Sequence, residues 1–496
     1  MTIARTGNSD GWSGTTNRRD FLLRSTAALA AGAVALDSPN ALSQEAKNST
    51  KPPNIVIYIA DQVRADFIGT NHHNTTTRTP NLDAVARRGT NFTTAVTNQP
   101  VCSPSRSVLL TGRYATETHV WQNANPINPE LPTLASELRH AGYTANLIGK
   151  WHLAPKDPAQ GGGNGYVRPE FRGGFLDLWE GANEFEWTTH PYEGTIWDAS
   201  GKEIKYSGEN RIEFITDRAV RFLKEKQEKP FLLYVSQLEP HQQNDDHNHM
   251  VAPKGYADRF RNPFVPQDLR SLPGNWQTEL PDYYGCIEAI DESVGRVLKT
   301  LEEQGILDNT IFIFMSDHGC HFMTRNAEYK RSPHNASIRI PLIAQGPGFN
   351  TGGEIPEVIG NINIMPTLLE AAGVPVPDSV KGKSFLPLMM DKKAREEWKN
   401  TELIQISESI TARAIRTADW CYCVVDRSPD ATHRASSLTY DEYLFYDEAG
   451  DPYELTNLAG RKEYRNQANE LAARLKKLIV EAGEPEPQIR PTTIYP

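Results

Sequence analysis

The chain has 496 residues, of which 38% are hydrophobic, and its 52 basic and 62 acidic side chains leave a net charge of −10. This length and composition predict a large buried core, as in one big domain with a smaller one beside it. The negative charge argues against nonspecific binding to nucleic acid or anionic lipid, so an anionic substrate would need local positive charge. The five cysteines are scattered and odd in number, which is not the pattern of a disulfide framework.

Residues 1–45 have the features of an export signal and linker. Arg18 and Arg19 precede an alanine-rich apolar run, and the sequence ALSQEA behind it offers a cleavage site. The apolar run is short for a membrane span, and no later segment approaches one, so an integral membrane protein is not expected. The segment resembles a bacterial twin-arginine signal, which implies a periplasmic or secreted protein. A disordered tail with a chance arginine pair is the alternative interpretation.

Four short apolar runs without polar alternation predict strands that are buried on both faces. The stretches between them carry apolar residues at helical spacing, and the longest reads DYYGCIEAIDESVGRVLKTLEEQG. Alternating strands and helices predict an α/β fold over residues 50–380, with a large mixed, mostly parallel sheet between layers of helices. The four runs are Ile55–Ala60, Thr144–Ile148, Phe231–Val235 and Ile311–Met315.

The pattern changes over residues 381–496. Alternating aromatic and β-branched residues in SITARAIRTADWCYCVV and YDEYLFYDEAGDPYELTNLAG predict a small antiparallel sheet. The sequence NQANELAARLKKLIVEAG predicts a helix packed against it, so we expect a smaller C-terminal α+β subdomain. Cys421 and Cys423 have no second ligand pair at zinc spacing, and we expect them to be half-buried strand residues.

Polar side chains follow each of the four predicted strands. Loops at the carboxyl ends of parallel strands converge on one crevice, so we expect these side chains to lie at one edge of the sheet. Any one of these side chains alone has an ordinary structural explanation, such as a helix cap or a hydrogen-bonded loop histidine. Coincidence is a poor explanation for polar residues after all four strands, so we expect a functional site. In chain order they are Asp61, Gln62, Lys150, His152, His241, Asp317 and His318.

Four members of this set predict a divalent cation site. Asp61, Gln62, Asp317 and His318 offer several oxygen ligands and one imidazole. Such hard ligands suit Ca²⁺ or Mg²⁺ better than zinc, which favours more nitrogen or sulfur. The two aspartates would repel each other if no cation lay between them.

The sequence VCSPSRSVLLTGR predicts an anion site at the start of a helix. Pro104 suits the first helical turn, Ser103 would be the N-cap and Gly112 would end the helix. Cys102 would then lie just outside a positive helix end, with Arg106 folding back toward it. A thiolate nucleophile is one interpretation, and a buried structural cysteine is the other.

The residues CSPSR, beginning at Cys102 and followed by LTGR, match the C-x-P-x-R…L-T-G-R signature of type I sulfatases. PNIVIYIADQ, GKWHL, SDHG and DPYELTNLA also resemble sulfatase segments and stand in the expected order. The resemblance covers nearly all of the chain after the export signal, and it implies the alkaline-phosphatase-like fold and the hydrolysis of a sulfate ester. It also implies that a separate formylglycine-generating enzyme oxidises Cys102 to formylglycine (3-oxoalanine), whose hydrate is the nucleophile.

The resemblance further implies a role for each candidate residue. The four predicted ligands would hold the cation, usually Ca²⁺, and the formylglycine at position 102 would complete its shell. Arg106 would polarise the hydrate, and Lys150 and Lys330 would bind the sulfate oxygens. His152 would orient the nucleophile, and His241 would protonate the leaving alcohol.

Gln62 departs from the Asp-Asp pair of many sulfatases. Some sulfatases carry Asp-Gln, but so do relatives that hydrolyse phosphonate monoesters and phosphodiesters, so a phosphorus-ester hydrolase is an alternative. A non-catalytic polysaccharide-binding protein, in which Cys102 is never converted, is another. The stretches EPHQQNDDHNHMV and WTTHPYEGTIW, with His119, Trp121 and Asn123, suit hydrogen bonding and stacking on a sugar. Our main expectation is therefore an exported sulfatase acting on a sulfated carbohydrate.

Overall fold

In the computed structural model, the described residues are 51–71, 74–157, 163–244 and 247–495, and all of them belong to one compact unit. The predicted export signal lies outside these ranges. Within them, no helix combines the length and the apolar character that crossing a membrane requires.

Helices and strands alternate along the chain as predicted. The helices are α1 (Pro80–Arg88), α2 (Cys102–Thr111), α3 (Ala115–Thr118), α4 (Leu134–His140), α5 (Phe185–Thr188), α6 (Arg211–Lys224), α7 (Gln267–Ser271), α8 (Trp276–Glu303), α9 (Asn335–Ile338), α10 (Ile364–Ala371), α11 (Lys392–Glu397) and α12 (Arg465–Glu481). The strands are β1 (Asn54–Ala60), β2 (Thr90–Phe92), β3 (Ala95–Val96), β4 (Thr144–Lys150), β5 (Trp179–Ala182), β6 (Thr189–His190), β7 (Glu193–Asp198), β8 (Glu203–Ser207), β9 (Phe231–Gln237), β10 (Thr310–Ser316), β11 (Leu342–Gln345), β12 (Gly353–Ile355), β13 (Ile359–Gly360), β14 (Thr401–Ile406), β15 (Ala412–Thr417), β16 (Trp420–Val425), β17 (Thr439–Asp447) and β18 (Gln488–Arg490).

A mixed sheet forms the centre of the fold. In the described ranges it has eleven strands in the order β12-β2-β11-β10-β1-β9-β4-β5-β7-β6, with β8 paired to β7. The four strands predicted from the apolar runs are adjacent and parallel, because β1 pairs with β10 and β9, and β9 pairs with β4. Antiparallel strands, such as β11 beside β10, flank this parallel centre. The predicted fold class is confirmed.

Both faces of the central sheet are covered, which explains why its strands are apolar throughout. Along β1, Val56 and Tyr58 belong to one hydrophobic core, while Ile55 and Ile57 belong to the core on the opposite face. Buried residues of α1, α6 and α8 complete the first core, and those of α2, α4 and α10 complete the second. Burying each such aliphatic side chain stabilises the fold by about 1.5–3 kcal/mol.

A second sheet occupies the predicted C-terminal region, in the order β14-β15-β16-β17-β18. Its first four strands are antiparallel, and β18 runs parallel to β17. One face packs on α12, through Leu471 and Leu475. The other face carries Cys421 and Cys423, which pack with Ile338 of α9. The prediction that both cysteines are strand residues is confirmed, but they are fully buried and not half-buried, because this face of the sheet packs against the rest of the chain.

Candidate active site

The polar side chains predicted at the strand ends meet at one edge of the central sheet. The parallel register of β1 and β10 pairs Ala60 with Ser316. The residues that follow, Asp61 and Asp317, are therefore neighbours at the carboxyl ends of the two strands. Both carboxylates are fully buried.

Asp61, Cys102, Asp317 and His318 form a tight group, here named the active-site cluster, in which one ligand atom from each lies within 4.8 Å of the others. Cys102 Sγ is 3.3 Å from His318 Nε2 and 3.7 Å from Asp61 Oδ1. His318 Nε2 is in turn 3.5 Å from Asp61 Oδ1 and 3.6 Å from Asp317 Oδ1. All four residues are buried.

The hydrogen bonds around this cluster leave ligand atoms facing each other, which fits a hard divalent cation. His318 Nδ1 lies 3.0 Å from the Gly319 carbonyl and donates to it, so Nε2 keeps its lone pair toward the aspartates. Gln62 Nε2 donates to Gln242 Oε1 at 2.9 Å, which leaves the Gln62 carbonyl oxygen as an acceptor. Two carboxylates, an amide oxygen and an imidazole nitrogen form a donor set typical of Ca²⁺ or Mg²⁺.

Three buried cationic side chains surround the cluster. Lys150 Nζ lies 2.9 Å from Asp61 Oδ2. Arg106 Nη2 lies 3.2 Å from Asp61 Oδ2 and 3.1 Å from Asp317 Oδ2, so its guanidinium joins the two carboxylates. Lys330 Nζ lies 2.9 Å from Cys102 Sγ. These three cations concentrate positive charge at this edge of the sheet, within a chain whose net charge is negative.

The same cations set the protonation states. Burial raises the pKa of the Cys102 thiol, but the charges of Lys150 and Lys330, with smaller contributions from the neighbouring His318 and His152 side chains, outweigh it, and the pKa falls well below its ordinary value. Position 102 is therefore built to stabilise an anionic atom. For Asp317 the balance is opposite, since burial and the neighbouring Asp61 carboxylate raise its pKa. Two carboxylates crowded in this way favour cationic partners, of which the Arg106 guanidinium is one.

The helix that carries Cys102 begins two residues earlier than the sequence suggested. α2 starts at Cys102, and Val101 is its N-cap, because Val101 is extended and its carbonyl accepts from Ser105 N at 2.9 Å. Ser103 is not the cap, and its backbone N–H instead donates to Asn123 Oδ1 at 3.1 Å. Cys102 therefore lies within the first turn and not outside it, still at the positive end of the helix. Gly112 ends the helix in the left-handed conformation, as predicted.

Two family models together match residues 53–481 of the chain. The family model described as Sulfatase matches residues 53–374, and one described as N-sulphoglucosamine sulphohydrolase, C-terminal, matches residues 328–481. The chain belongs to the sulfatase family. The resemblance seen in the sequence is thereby confirmed, and the chain is a hydrolase of sulfuric esters.

Two curated proteins and one solved structure show how far the similarity extends. The sulfatase is 30% identical over 458 residues to an ulvan-active sulfatase of Formosa agariphila, covering 89% of this chain and 83% of that one. It is 25% identical over 532 residues to an N-acetylglucosamine-6-O-sulfatase of Bacteroides thetaiotaomicron, covering 90% of each. A solved structure in complex with its substrate D-glucosamine-2-N,6-O-disulfate superposes with a TM-score of 0.74 at 24% identity, over 88% of this chain and 99% of that one, which supports the fold.

Two histidines of the sulfatase flank the cluster. His241 Nδ1 donates to the Gln242 carbonyl at 2.7 Å, and its Nε2 lies 3.1 Å from Lys330 Nζ. His152 Nε2 lies 3.7 Å from Glu184 Oε1. Burial and Lys150 lower the pKa of His152, but hydrogen bonds with Cys102 and Glu184 outweigh them and raise it. Both imidazoles therefore lie close to position 102, His152 directly and His241 through Lys330.

Two acidic residues of the site were missed by the sequence reasoning. Glu184 contacts His152, and Glu186 Oε2 lies 3.2 Å from Lys150 Nζ. They follow β5, whose four residues WEGA are too few and too glycine-rich to predict a strand. The weak signal was the polar sequence NE directly after that run.

The cluster opens into a cavity of about 410 Å³. Cys102 lies in its wall, beside residues from both predicted substrate loops. His119 and Trp121, also proposed for the pocket, are not among the lining residues in the described part of the chain. Besides Cys102, the predicted residues that do line it are Asn123, Trp187, His241, Gln242, Asn244, Asn248 and Lys330.

Proposed function

We propose that this chain is an exported sulfatase that removes sulfate from a sulfated carbohydrate, using a formylglycine hydrate at position 102 beside a bound divalent cation. The observation that carries the proposal is the position of Cys102. Its Sγ lies 3.3 Å from His318 Nε2 and 2.9 Å from Lys330 Nζ, in the wall of the cavity. The relatives named above act on ulvan and on N-acetylglucosamine 6-sulfate by their printed names, which supports a carbohydrate substrate.

In this proposal, conversion of Cys102 by a formylglycine-generating enzyme supplies the nucleophilic hydrate, and the cation supplies Lewis-acid polarisation of a sulfate oxygen. Asp61, Gln62, Asp317 and His318 hold the cation, and the Arg106 guanidinium fixes the two aspartates at 3.1–3.2 Å.

The remaining residues bind the ester and move protons. Lys150 and Lys330 neutralise the sulfate oxygens, on which negative charge is concentrated as the ester bond breaks. His152 holds a proton beside the nucleophile, and His241 Nε2, next to Lys330, delivers one to the departing alcohol. The overall reaction takes up one water and yields the free alcohol and sulfate.

A phosphonate monoester hydrolase or phosphodiesterase is the second candidate. Gln62 keeps it open, because the Asp-Gln pair resembles that of phosphorus-ester hydrolases as well as that of some sulfatases. Export rests on the twin-arginine pattern of residues 1–45.

The test begins with the protein made together with a formylglycine-generating enzyme. Peptide mass spectrometry across Ala95–Arg106 should find Cys102 converted to the aldehyde or its hydrate. The converted protein should hydrolyse an aryl sulfate with a higher kcat/KM than the matched aryl phosphodiester, and Cys102→Ala should lower this rate by about 10⁴-fold or more. Sulfated oligosaccharides would then be screened.

Two results would contradict the proposal. A preference for the phosphodiester moves the assignment to the second candidate. An intact thiol, under conditions that convert a control sulfatase, removes the hydrolytic mechanism and, with measurable glycan affinity, favours a polysaccharide-binding protein.

A further inference from the structure

We infer that Glu186 determines substrate specificity by accepting a hydrogen bond from a hydroxyl or ammonium group next to the sulfate ester, on a ring that lies against Trp187. The sulfatase would then prefer esters with a free donor beside the sulfate, and it would discriminate against vicinal disulfates. This inference rests on the proposed function, because it assigns the substrate sulfate to Lys150.

The first observation is that the Glu186 carboxylate is buried and shares its cationic partner, Lys150, with Asp61. Glu186 is only 3% exposed, yet it lines the cavity. Its Oε2 accepts no hydrogen bond from the described residues, although it lies 3.2 Å from Lys150 Nζ. A buried carboxylate that shares its one lysine with another carboxylate keeps acceptor capacity for a further donor, and leaving that capacity unused costs free energy. A donor on the substrate would recover that free energy.

The carboxylate is also held in its charged form. Burial raises its pKa, but Lys150, His152 and His241 lower it further, to about 2. Glu186 therefore carries a full negative charge at neutral pH. A charged acceptor makes a stronger hydrogen bond than a neutral one, and it repels a second anionic group.

The second observation is the position of Glu186 relative to the reacting ester. Lys150 Nζ lies between Asp61 Oδ2, at 2.9 Å, and Glu186 Oε2, at 3.2 Å. A sulfate bound by Lys150 therefore brings the substituents beside the ester within reach of Glu186. Groups further along a glycan chain would meet other parts of the cavity wall.

The third observation is the neighbouring indole. Trp187 is 45% exposed in the cavity wall, although Phe185 of the same short helix is fully buried and anchors it. An exposed tryptophan beside a polar cavity provides a flat apolar surface for a ring. Trp187 and the adjacent Glu186 therefore offer a flat apolar surface and a charged acceptor side by side in the cavity wall.

The test uses three small esters that do not depend on the identity of the natural sugar: phenyl sulfate, 2-hydroxyphenyl sulfate and catechol disulfate. We compare kcat/KM for wild type and Glu186→Gln with the converted enzyme. The advantage of 2-hydroxyphenyl sulfate over phenyl sulfate should shrink by about five- to tenfold in the variant, as a charged acceptor becomes a neutral one. Relative use of the disulfate should rise by a similar factor. Differences in leaving-group reactivity cancel, because each substrate ratio is compared between the two enzymes.

Glu328→Gln is the matched control, because Glu328 lines the same cavity but pairs with Arg331. It should leave both substrate ratios as in wild type. If Glu186→Gln lowers the rates on all three esters equally, Glu186 only positions Lys150 and the inference is wrong. Affinities of Cys102→Ala protein for the same esters, with and without Glu186→Gln, test the preference without turnover. If the converted enzyme hydrolyses none of the three esters, but the Cys102→Ala protein still binds 2-hydroxyphenyl sulfate in preference to phenyl sulfate, the proposed function is contradicted and the inference on Glu186 is not.

Discussion

Two buried clusters among the described residues each join a cysteine to two carboxylates, but they differ in their surroundings. The active-site cluster joins a cysteine to two aspartates and a histidine. Cys421, Glu448 and Glu454 form a second group, here named the C-terminal cluster, whose ligand atoms are equally close. A cysteine among buried carboxylates is therefore not a sufficient sign of catalysis.

The difference lies in charge and hydrogen bonding. Three cations lie within about 3 Å of the active-site cluster, and the pKa of its cysteine is lowered. In the C-terminal cluster, Arg416 lies 3.1 Å from Glu448 Oε2, and Asn335 N donates to Glu454 Oε2 at 2.6 Å. Burial and the charges of Glu454 and Glu448 raise the pKa of Cys421. The first cluster lowers the pKa of its cysteine beside a cavity, while the second raises the pKa values of its groups inside a packing interface.

The largest expected contrast between the clusters is in cation binding. Asp317→Asn removes a charged ligand, so kcat/KM should fall by about 10³-fold. Excess Ca²⁺ should stabilise the wild type, by about 2.7 kcal/mol at a concentration one hundred times Kd, and this gain should vanish in the variant. Thermal unfolding of both proteins, with and without Ca²⁺, measures this gain in stability. Glu448→Gln is the matched control and should keep the full Ca²⁺ effect, whereas an unchanged Ca²⁺ effect in Asp317→Asn would contradict the assigned site.

A smaller contrast is expected in the pH dependence of stability. Burial and the Glu448 carboxylate raise the pKa of Glu454 well above its ordinary value. The folded state therefore keeps a proton that the unfolded state releases above a pKa of about 4.3, so wild-type stability is lost as the pH rises from there toward the raised pKa. Glu454→Gln keeps an acceptor for Asn335 N but does not titrate. Its free energy of unfolding should exceed that of wild type increasingly between pH 5 and pH 8, as measured in urea.

The exposed Glu470→Gln is the control for this measurement, because its effect should not vary with pH. A wild type that becomes more stable than Glu454→Gln toward pH 8 would show that the Glu454 carboxylate is ionised and well paired.

The active-site cluster could be predicted from the sequence because its geometry follows from the sheet. Strands buried on both faces appear as continuous apolar runs, and their parallel register brings Asp61 next to Asp317. The C-terminal cluster has no such regularity. Cys421 lies on β16, Glu448 follows β17 and Glu454 lies in the loop beyond, so only tertiary packing brings them together.

The errors near the site have equally local causes. Glu186 lies on a helix of four residues, which is too short to show periodicity. The helix start at Cys102 depends on the extended backbone of Val101, and the composition favoured Ser103 as the cap instead.

The smallest expected effect is that of Cys421→Ala. The thiol is 1% exposed, and its nearest polar partner is the Pro333 carbonyl, 3.6 Å from Sγ. Its loss should cost about 1 kcal/mol of stability through lost packing, with activity within twofold of wild type. Urea unfolding measures the change in stability, and kcat/KM measures the change in activity. Cys102→Ala should give the opposite result, with folding retained and activity lost. A tenfold loss of activity in Cys421→Ala would mean that the C-terminal cluster acts on the site, through the segment that joins Lys330 to α9.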